Sequence, residues 1–481
     1  TDFVEHSRTV AWGKAREIYL TTGGNQAIVS NRISYTFNLQ GPSEIVATAC
    51  SSALVALHKA VQALHAGDCD MALVGGVSLL LSPTRLAALN RLGILSTTGH
   101  CAPFDKDSPG EILGEGVGVV LLKPLTQATA AGDRIEALLR ATGTNHHGNL
   151  SGSLTMPSAE AQCDLIVDTY RRADIAPESI GFIEAHGSGN VGGDLVELMA
   201  FHRAFATLAA ARGRPLANGF CGVGSGKGNT GFLEAAGGMA QLIKVVLSLQ
   251  HQCLPATLHF RESAESLTLA ESPFTIVDQT QPWPAPRNGQ GQVQPRRAAL
   301  NAYGLGGTNA HIVVEEYITG AAPESVVDEQ PQLFLLSANT AERLRVVVQQ
   351  LLDYLADSPP RSPAALEAVA YTLQVGRAAL PCRLALVARD AAQLGKRLRT
   401  FLERDPAATE PRKGLYTGQA PRGVTVAQEP PAQLHHWLAE RKLKKLAKHW
   451  ARGVAIDWAL LYADPKPTRV ALPTYPFIHK R

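Results

Sequence analysis

Twice along this sequence a short apolar run ends at a polar residue, turns through small residues and gives way to a helix. In the first case SEIVAT leads through Cys50 into SALVALHKAVQALHAG, a helical pattern that closes near Gly67, and DMALVGGVSLLL then resumes an apolar strand. Ser51 and Ser52 sit where helix-capping hydroxyls belong. In the second case the strand IGFIEAHGSG leads into the helix GDLVELMAFHRAFATLAA. The helix LEAAGGMAQLIKVVLSLQ and the strand RAALNAYGLGGTNAHIVVEE follow. Between the two, GVGVVLLKPL reads as a buried strand after the turn-rich FDKDSPGE. Strands interleaved with helices bury their faces only as a sheet covered by helices, so the chain reads as α/β in two loosely similar halves.

The 481 residues, 45% of them hydrophobic, provide enough chain for about three domain-sized units. Residues 318–335 are polar and proline-bearing and read as a boundary. Beyond them the order strand, helix, helix, strand, helix runs through LFLLSA, AERLRVVVQQLLDYLAD, LEAVAYTLQVG, RLALVARD and AAQLGKRLRTFLER. Residues 405–432 read as a second linker, HHWLAERKLKKLAKHWARG as a basic helical stretch, and RVALPTYPF as an extended end.

A net charge of +3 with 18% charged residues supplies no field that would draw nucleic acid or a membrane surface. The cluster Arg441-Lys442-Leu443-Lys444-Lys445 is better read as the solvated face of an amphipathic helix. No apolar run reaches the roughly 18–20 residues of a membrane span, and no signal peptide is recognisable. The seven cysteines are scattered, with no CxxC or Cys/His metal spacing, so a reducing cytoplasm and no bound metal are expected.

Three stretches carry residues capable of chemistry. In ATACSSAL, Cys50 stands between a strand and a helix among small neighbours. A helix N-terminus there favours the thiolate and its attack on a carbonyl. In EAHGSGN, His186 leaves a strand into a glycine turn, from which an imidazole can donate or exchange a proton. In NAYGLGGTNAH the glycines let backbone N–H groups approach a ligand closely, as an oxyanion hole requires. Each is weak alone, since most cysteines and histidines are structural and most GLGG segments are simply turns. A fourth stretch, GVGSGKGNTGFLEAAGG, crowds glycines ahead of one aromatic ring, Phe232.

Taken together and in this order, these stretches resemble the ketosynthase domains of modular type I polyketide synthases, a family of thiolase-like condensing enzymes. GPSEIVATACSSALVALH, PFDKDSPGEILGEGVGVVLLKPL, IEAHGSGN, KGNTGFLEAAGG and YGLGGTNAHIVVEE carry the resemblance. VGRAALPCRLALVA and HWARGVAIDWALLY with RVALPTYPF are similar to the linker domain and trailing peptide that follow such domains. The resemblance implies a layered αβαβα fold plus a small α/β linker domain. It divides the chain into a first half at 1–132, lacking its start, a second half at 133–317, a linker at 318–335, a small domain at 336–404, and at 405–481 a linker and a peptide returning to the ketosynthase. More than a hundred residues of the fold would precede Thr1. No acyltransferase pattern follows the linker, which favours a synthase served by an acyltransferase in trans.

Carried over by position, the resemblance makes Cys50 the nucleophile that takes an acyl chain from the phosphopantetheine thioester of an acyl carrier protein. Backbone N–H groups of Cys50 and Leu305 form the oxyanion hole. His186 is one of two catalytic histidines, and Lys227 is the lysine preceding the second. Ser188 and Asn190, where two threonines are usual, and Gly306 and Gly307 line the pantetheine and substrate path. No permanent cofactor is implied. Other polyketide synthase domains are expected partners, a homodimer the expected assembly and the cytoplasm the expected location.

Three departures from the family matter: the second histidine, the threonine-rich turn after His186 with the Gly-Asp-Pro that follows it, and the start expected before Thr1. The loop that ends Asn-Ile-Gly-His in the family reads Asn229-Thr230-Gly231-Phe232, so the second histidine is missing. Gly-Asp-Pro reads Gly193-Asp194-Leu195. Acyl transfer without elongation is therefore expected. Ordinary decarboxylative condensation, with His146 or His147 substituting, and a catalytically silent docking scaffold remain as alternatives.

Overall fold

The computed structural model describes residues 22–23, 25–263, 269, 271–288, 290–318, 330–403, 414–420, 431–464 and 466–478. Contacts divide the chain into two compact units. One holds the described residues of 1–125 and 135–318, the other those of 126–134 and 319–481. No described helix is long and apolar enough to cross a membrane.

The strands of the first unit are β1 (Ala72–Ser78), β2 (Gly116–Leu122), β3 (Leu138–His146), β4 (Phe182–Glu184) and β5 (Cys221–Gly224). They continue with β6 (Cys253–Leu254), β7 (Phe274–Ile276), β8 (Gln281–Pro282), β9 (Arg297–Tyr303) and β10 (Thr308–Glu315). Six form one mixed sheet in the order β3-β10-β9-β4-β5-β7. β9, β4, β5 and β7 run parallel, while β10 is antiparallel to both β9 and β3. Each strand sends alternate side chains to opposite faces, and both faces are buried. Phe182, Leu300 and Ile312 enter one core with Leu54, Leu57 and Met239 of the helices Ser52–Ala66 and Gly237–His251. Ile183, Ala299 and Val313 enter the other with Tyr170, Phe201 and Phe205 of the helices Ala159–Arg172 and Val191–Arg212. The antiparallel pair β1–β2 lies on the far side of the first helix layer and adds Val74 to that core. Helix, sheet, helix and sheet therefore stack in the expected layered manner.

Several local expectations change. SEIVAT is extended but belongs to no ladder among the described residues, because an apolar alternation by itself supplies no lateral partner. GVGVVLLKPL does form β2, yet it is not buried on both sides. Val117, Val119 and Leu121 are exposed and only the alternate residues face inward. RAALNAYGLGGTNAHIVVEE is not one strand but the β9–β10 hairpin, folded where Gly306 and Gly307 take φ of 113° and 100°.

In the second unit β11 (Gln332–Ala338), β12 (Cys382–Ala388) and β13 (Leu415–Gln419) form an antiparallel sheet in that order. The helices Ala341–Asp357, Pro363–Val375 and Ala391–Leu402 follow the expected order. Thr340, Ser362 and Asp390 cap them through their side-chain oxygens. β13 lies inside the stretch read as a linker, most of whose remainder falls outside the described residues. The basic stretch is two helices, Pro431–Ala439 and Leu443–Ala451, broken at Arg441, whose φ is 48°. Leu443, Leu446 and Trp450 are buried while Lys444 and Lys445 are exposed, as an amphipathic face requires. Leu472 of the extended end packs with Val470 and Tyr475 against this unit's own core.

Candidate active site

Cys50 lies in a single 3₁₀ turn, Ala49–Ser51, between the extended segment and the helix Ser52–Ala66. Ala49 takes φ of 53°, a left-handed conformation that costs an L-residue on the order of 1 kcal/mol and recurs at functional turns. The two serines do not cap the helix. Ser51 Oγ donates to the Thr48 carbonyl at 2.8 Å. Ser52 Oγ donates to the Ala49 carbonyl at 2.6 Å and accepts the Thr48 N–H at 2.9 Å. They brace the strained turn instead.

The hairpin turn comes against this element. A Cβ on Gly304 would lie 2.3 Å from the Thr48 carbonyl oxygen and 2.9 Å from Ser51 Oγ, so only glycine allows that approach. Leu305, half exposed, offers its backbone N–H to the Cys50 thiol. Burial pushes the Cys50 thiol up to about 11. The Leu305 N–H pulls the other way, Glu111 and Glu234 add to the rise, and Lys227 opposes it. Desolvation thus opposes the thiolate, while the Leu305 N–H and Lys227 favour it.

His186 follows β4. Its backbone N–H donates to Glu197 Oε1 at 2.7 Å, and the N–H of Gly187 donates to Glu197 Oε2 at 2.9 Å. Its Nδ1 faces the Tyr303 N–H at 3.5 Å, leaving Nε2 to carry the ring proton. Burial, reinforced by the Lys227 charge, holds the imidazole well below its usual range, so the ring is neutral and a hydrogen-bond donor. Phe232 meets it edge to face with ring centroids 5.4 Å apart at 89°. The buried Lys227 ammonium donates to the His186 carbonyl and lies 4.8 Å from the centre of the Phe232 ring. Phe232 is pinned by its own backbone. Its N–H donates to the Ile112 carbonyl at 2.6 Å and its carbonyl accepts the Gly114 N–H at 3.0 Å.

Ser188 is buried. Its N–H donates to Asp194 Oδ1 at 2.9 Å and its carbonyl accepts the Cys101 thiol at 3.3 Å. Asn190 is exposed and caps the helix Val191–Arg212, with Oδ1 accepting the Gly193 N–H at 3.2 Å. His146 and His147 pack on the glycine turn. Nδ1 of His146 accepts the Gly148 N–H at 2.9 Å, which leaves Nε2 protonated to donate to the Gly306 carbonyl at 2.8 Å. A Cβ on Gly307 would meet His147 Nε2 at 2.6 Å. The structure thus gathers His186, Lys227, Phe232 and Ser188, and joins Cys50 to Leu305. Asn190 is engaged in a cap and His146 in loop support.

Sequence reasoning passed over the acids around this cluster. Burial pushes Glu197 up to about 8, Glu111 up to about 7 and Asp194 up to about 6, with Lys227 pulling each the other way. Asp194 and Glu197 stand three apart on the buried face of one helix, a spacing that could have been recognised. Glu184 forms a buried ion pair with Lys244 at 2.5 Å and accepts the Gly226 N–H at 2.8 Å, fixing the start of the Lys227 loop. Gln241 Nε2 donates to the carbonyls of Ala185 at 2.8 Å and Asn301 at 2.9 Å, tying together the strand ends that carry His186 and the glycine turn.

Comparison with known proteins accords with this geometry. Residues 4–128 match the family model for the N-terminal domain of beta-ketoacyl synthase, 136–261 that for its C-terminal domain, and 335–405 that for the RhiE-like KS-MAT linker domain. Similar solved structures include the ketosynthase from module 6 of the bacillaene synthase from Bacillus subtilis 168, with a TM-score of 0.83 and 35% identity over 98% of this chain and 80% of that one. The oxazolomycin ketosynthase domain of Streptomyces albus JA3453 has a TM-score of 0.81 and 35% identity, covering 97% and 76%. Polyketide synthases PksN and PksL of Bacillus subtilis (strain 168) are 40% and 39% identical over 94% of this chain, which spans only 8% and 10% of their lengths.

Proposed function

The chain belongs to the beta-ketoacyl synthase family, and from that premise we propose that it takes an acyl chain from a carrier-protein thioester onto Cys50 and passes it on with little or no elongation. The observation that carries this reading is the apolar ring of Phe232 against His186, beside the Lys227 ammonium.

The two half-reactions make different demands. In transthiolation the Cys50 sulfur bonds to the thioester carbonyl carbon, and the oxyanion is held by the N–H groups of Cys50 and Leu305. The close approach of the glycine turn to the Cys50 turn supports this role. Condensation additionally needs donors for the enolate oxygen that forms as malonyl thioester loses carbon dioxide. Neutral His186 is one such donor, and Phe232 supplies none. Loss of one donor of this kind costs roughly 3–4 kcal/mol, about a hundred- to a thousandfold in rate. The engagement of both ring nitrogens of His146 with the backbone argues against its substituting.

The partners in this reading are an acyl carrier protein, whose phosphopantetheine delivers the substrate, and neighbouring domains of a synthase served by an acyltransferase in trans. The active assembly is a homodimer. Intact-protein mass spectrometry after incubation with an acyl-loaded carrier protein tests the first step. The chain should gain one acyl mass, and Cys50→Ala should abolish the gain. An unacylated Cys50 would instead favour the docking-scaffold reading.

A further inference from the structure

The second unit contains a cavity of about 250 Å³ among β11, the helix Pro363–Val375, β12 and the segment that follows the helix Leu443–Ala451. Gly453 takes φ of 112°, and the chain beyond it supplies Val454, Ile456 and Trp458 to one wall. Leu335, Leu373 and Trp450 supply more apolar surface. Arg377, Ala378 and Ala379 line the cavity and are exposed, so its mouth opens to solvent beside them.

Two arginines line this space and no carboxylate does. Arg383 is buried. Its Nε donates to the Leu380 carbonyl at 3.1 Å and its Nη1 to the Trp450 carbonyl at 2.7 Å, and the guanidinium lies 5.0 Å from the centre of the Trp450 ring. Its Nη2 has no partner among the described residues. Arg377 likewise meets only carbonyls, those of Gly376 at 2.9 Å, Leu472 at 3.1 Å and Pro473 at 3.2 Å. Burial alone shifts either guanidinium, downwards, with no acid acting on it. Asp457, beside Trp458, is exposed and accepts the Ala459 N–H at 3.1 Å, and it does not line the cavity. The neutral polar groups of the wall are already satisfied. Ser337 Oγ donates to the Ala378 carbonyl at 3.0 Å and accepts the Leu380 N–H at 3.0 Å. Gln374 Nε2 donates to the Leu333 carbonyl at 2.6 Å, and its Oε1 accepts the Tyr462 hydroxyl at 2.9 Å. A buried cation held only by neutral carbonyls is uncompensated, so what this cavity lacks is a negative charge.

We propose that the cavity binds a small organic monocarboxylate, with its carboxylate on the free Nη2 edge of Arg383 and within reach of Arg377, and its apolar stem along Trp450, Val454 and Trp458. The volume falls below the roughly 300–1,000 Å³ of sites for drug-sized ligands, which limits the guest to a short chain. With Nε and Nη1 of Arg383 already engaged, the open donor suits a single negative charge better than a phosphate dianion. This site is separate from the acyl-transfer reading, since every residue in it belongs to the second unit.

Isothermal titration calorimetry on the whole chain tests the assignment, with hexanoate as the probe and Cys50 first capped by iodoacetamide so that the candidate active site does not compete. Hexanoate should bind at one site with a Kd of about 1 mM, and hexanamide, which keeps the stem and lacks the charge, about tenfold more weakly. Arg383→Gln should weaken hexanoate about tenfold and leave hexanamide unchanged. Because Arg383 also holds the Trp450 carbonyl, Ala379→Trp at the exposed rim is the second variant. It should obstruct both ligands with the guanidinium still in place. Equal affinity for hexanoate and hexanamide, or a hexanoate Kd unaltered by both substitutions, would overturn the proposal. Tighter binding of inorganic phosphate would overturn it in favour of a dianion. Tighter binding of an N-acetylated, amidated glutamate peptide would overturn it in favour of a partner's acidic side chain. With Cys50 capped throughout, none of these outcomes bears on acyl transfer.

Discussion

At position 232 a ring with no exchangeable proton packs against His186 and near the Lys227 ammonium, so this position supplies packing and no proton donor. Phe232→His should therefore raise malonyl-thioester decarboxylation at least tenfold, measured as carbon dioxide released per Cys50. An unchanged rate would place the impairment elsewhere. Glu197 offers a second test through pH. Burial raises its folded-state pKa to about 8, above the unfolded carboxyl, so the folded chain binds the extra proton. Its contribution to stability is fully present below the unfolded pKa of about 4.5 and is lost as pH rises towards 8. Glu197→Gln should accordingly flatten the fall in melting temperature over that interval, and an unchanged slope would mean that Glu197 is ionised throughout. Phe232 was legible in the sequence because its motif neighbours survive around it. Glu111 was not, since one of two acids in PGEILGEG looks like a surface residue until the fold half-buries it.

At the scale of elements, the strand–turn–helix unit of the second half was readable from apolar runs and glycine punctuation, and β4 with its following helix formed as expected. The hairpin was not. Apolar residues recur on both sides of GLGG in RAALNAYGLGGTNAHIVVEE, which hides the turn in the sequence, and the left-handed Gly306 and Gly307 make the reversal. The first half taught a related lesson, because SEIVAT has the pattern of a strand without a described neighbour to pair with. The meeting of the two turns is the element-level device that builds the site. Gly304→Ala would press a methyl into the Thr48 carbonyl. It should destabilise the chain by about 1–3 kcal/mol and slow Cys50 acylation about tenfold or more, read by calorimetry and intact mass. Normal acylation in that variant would show that the glycine turn does not set the geometry at Cys50.

Over the whole molecule, the layered arrangement of the first unit followed from the alternation of strands and helices, and the second unit's element order from its apolar periodicity. In the proposed reading, what the chain does with a bound acyl group depends on how few proton donors surround Cys50. Malonyl-loaded carrier protein added to the chain already acylated at Cys50, with products followed by mass, tests that most directly. The account predicts that the acyl group stays on Cys50, or returns to a carrier unchanged, at least a hundredfold faster than a chain two carbons longer appears. Prompt formation of the longer ketide by the unaltered protein would contradict it.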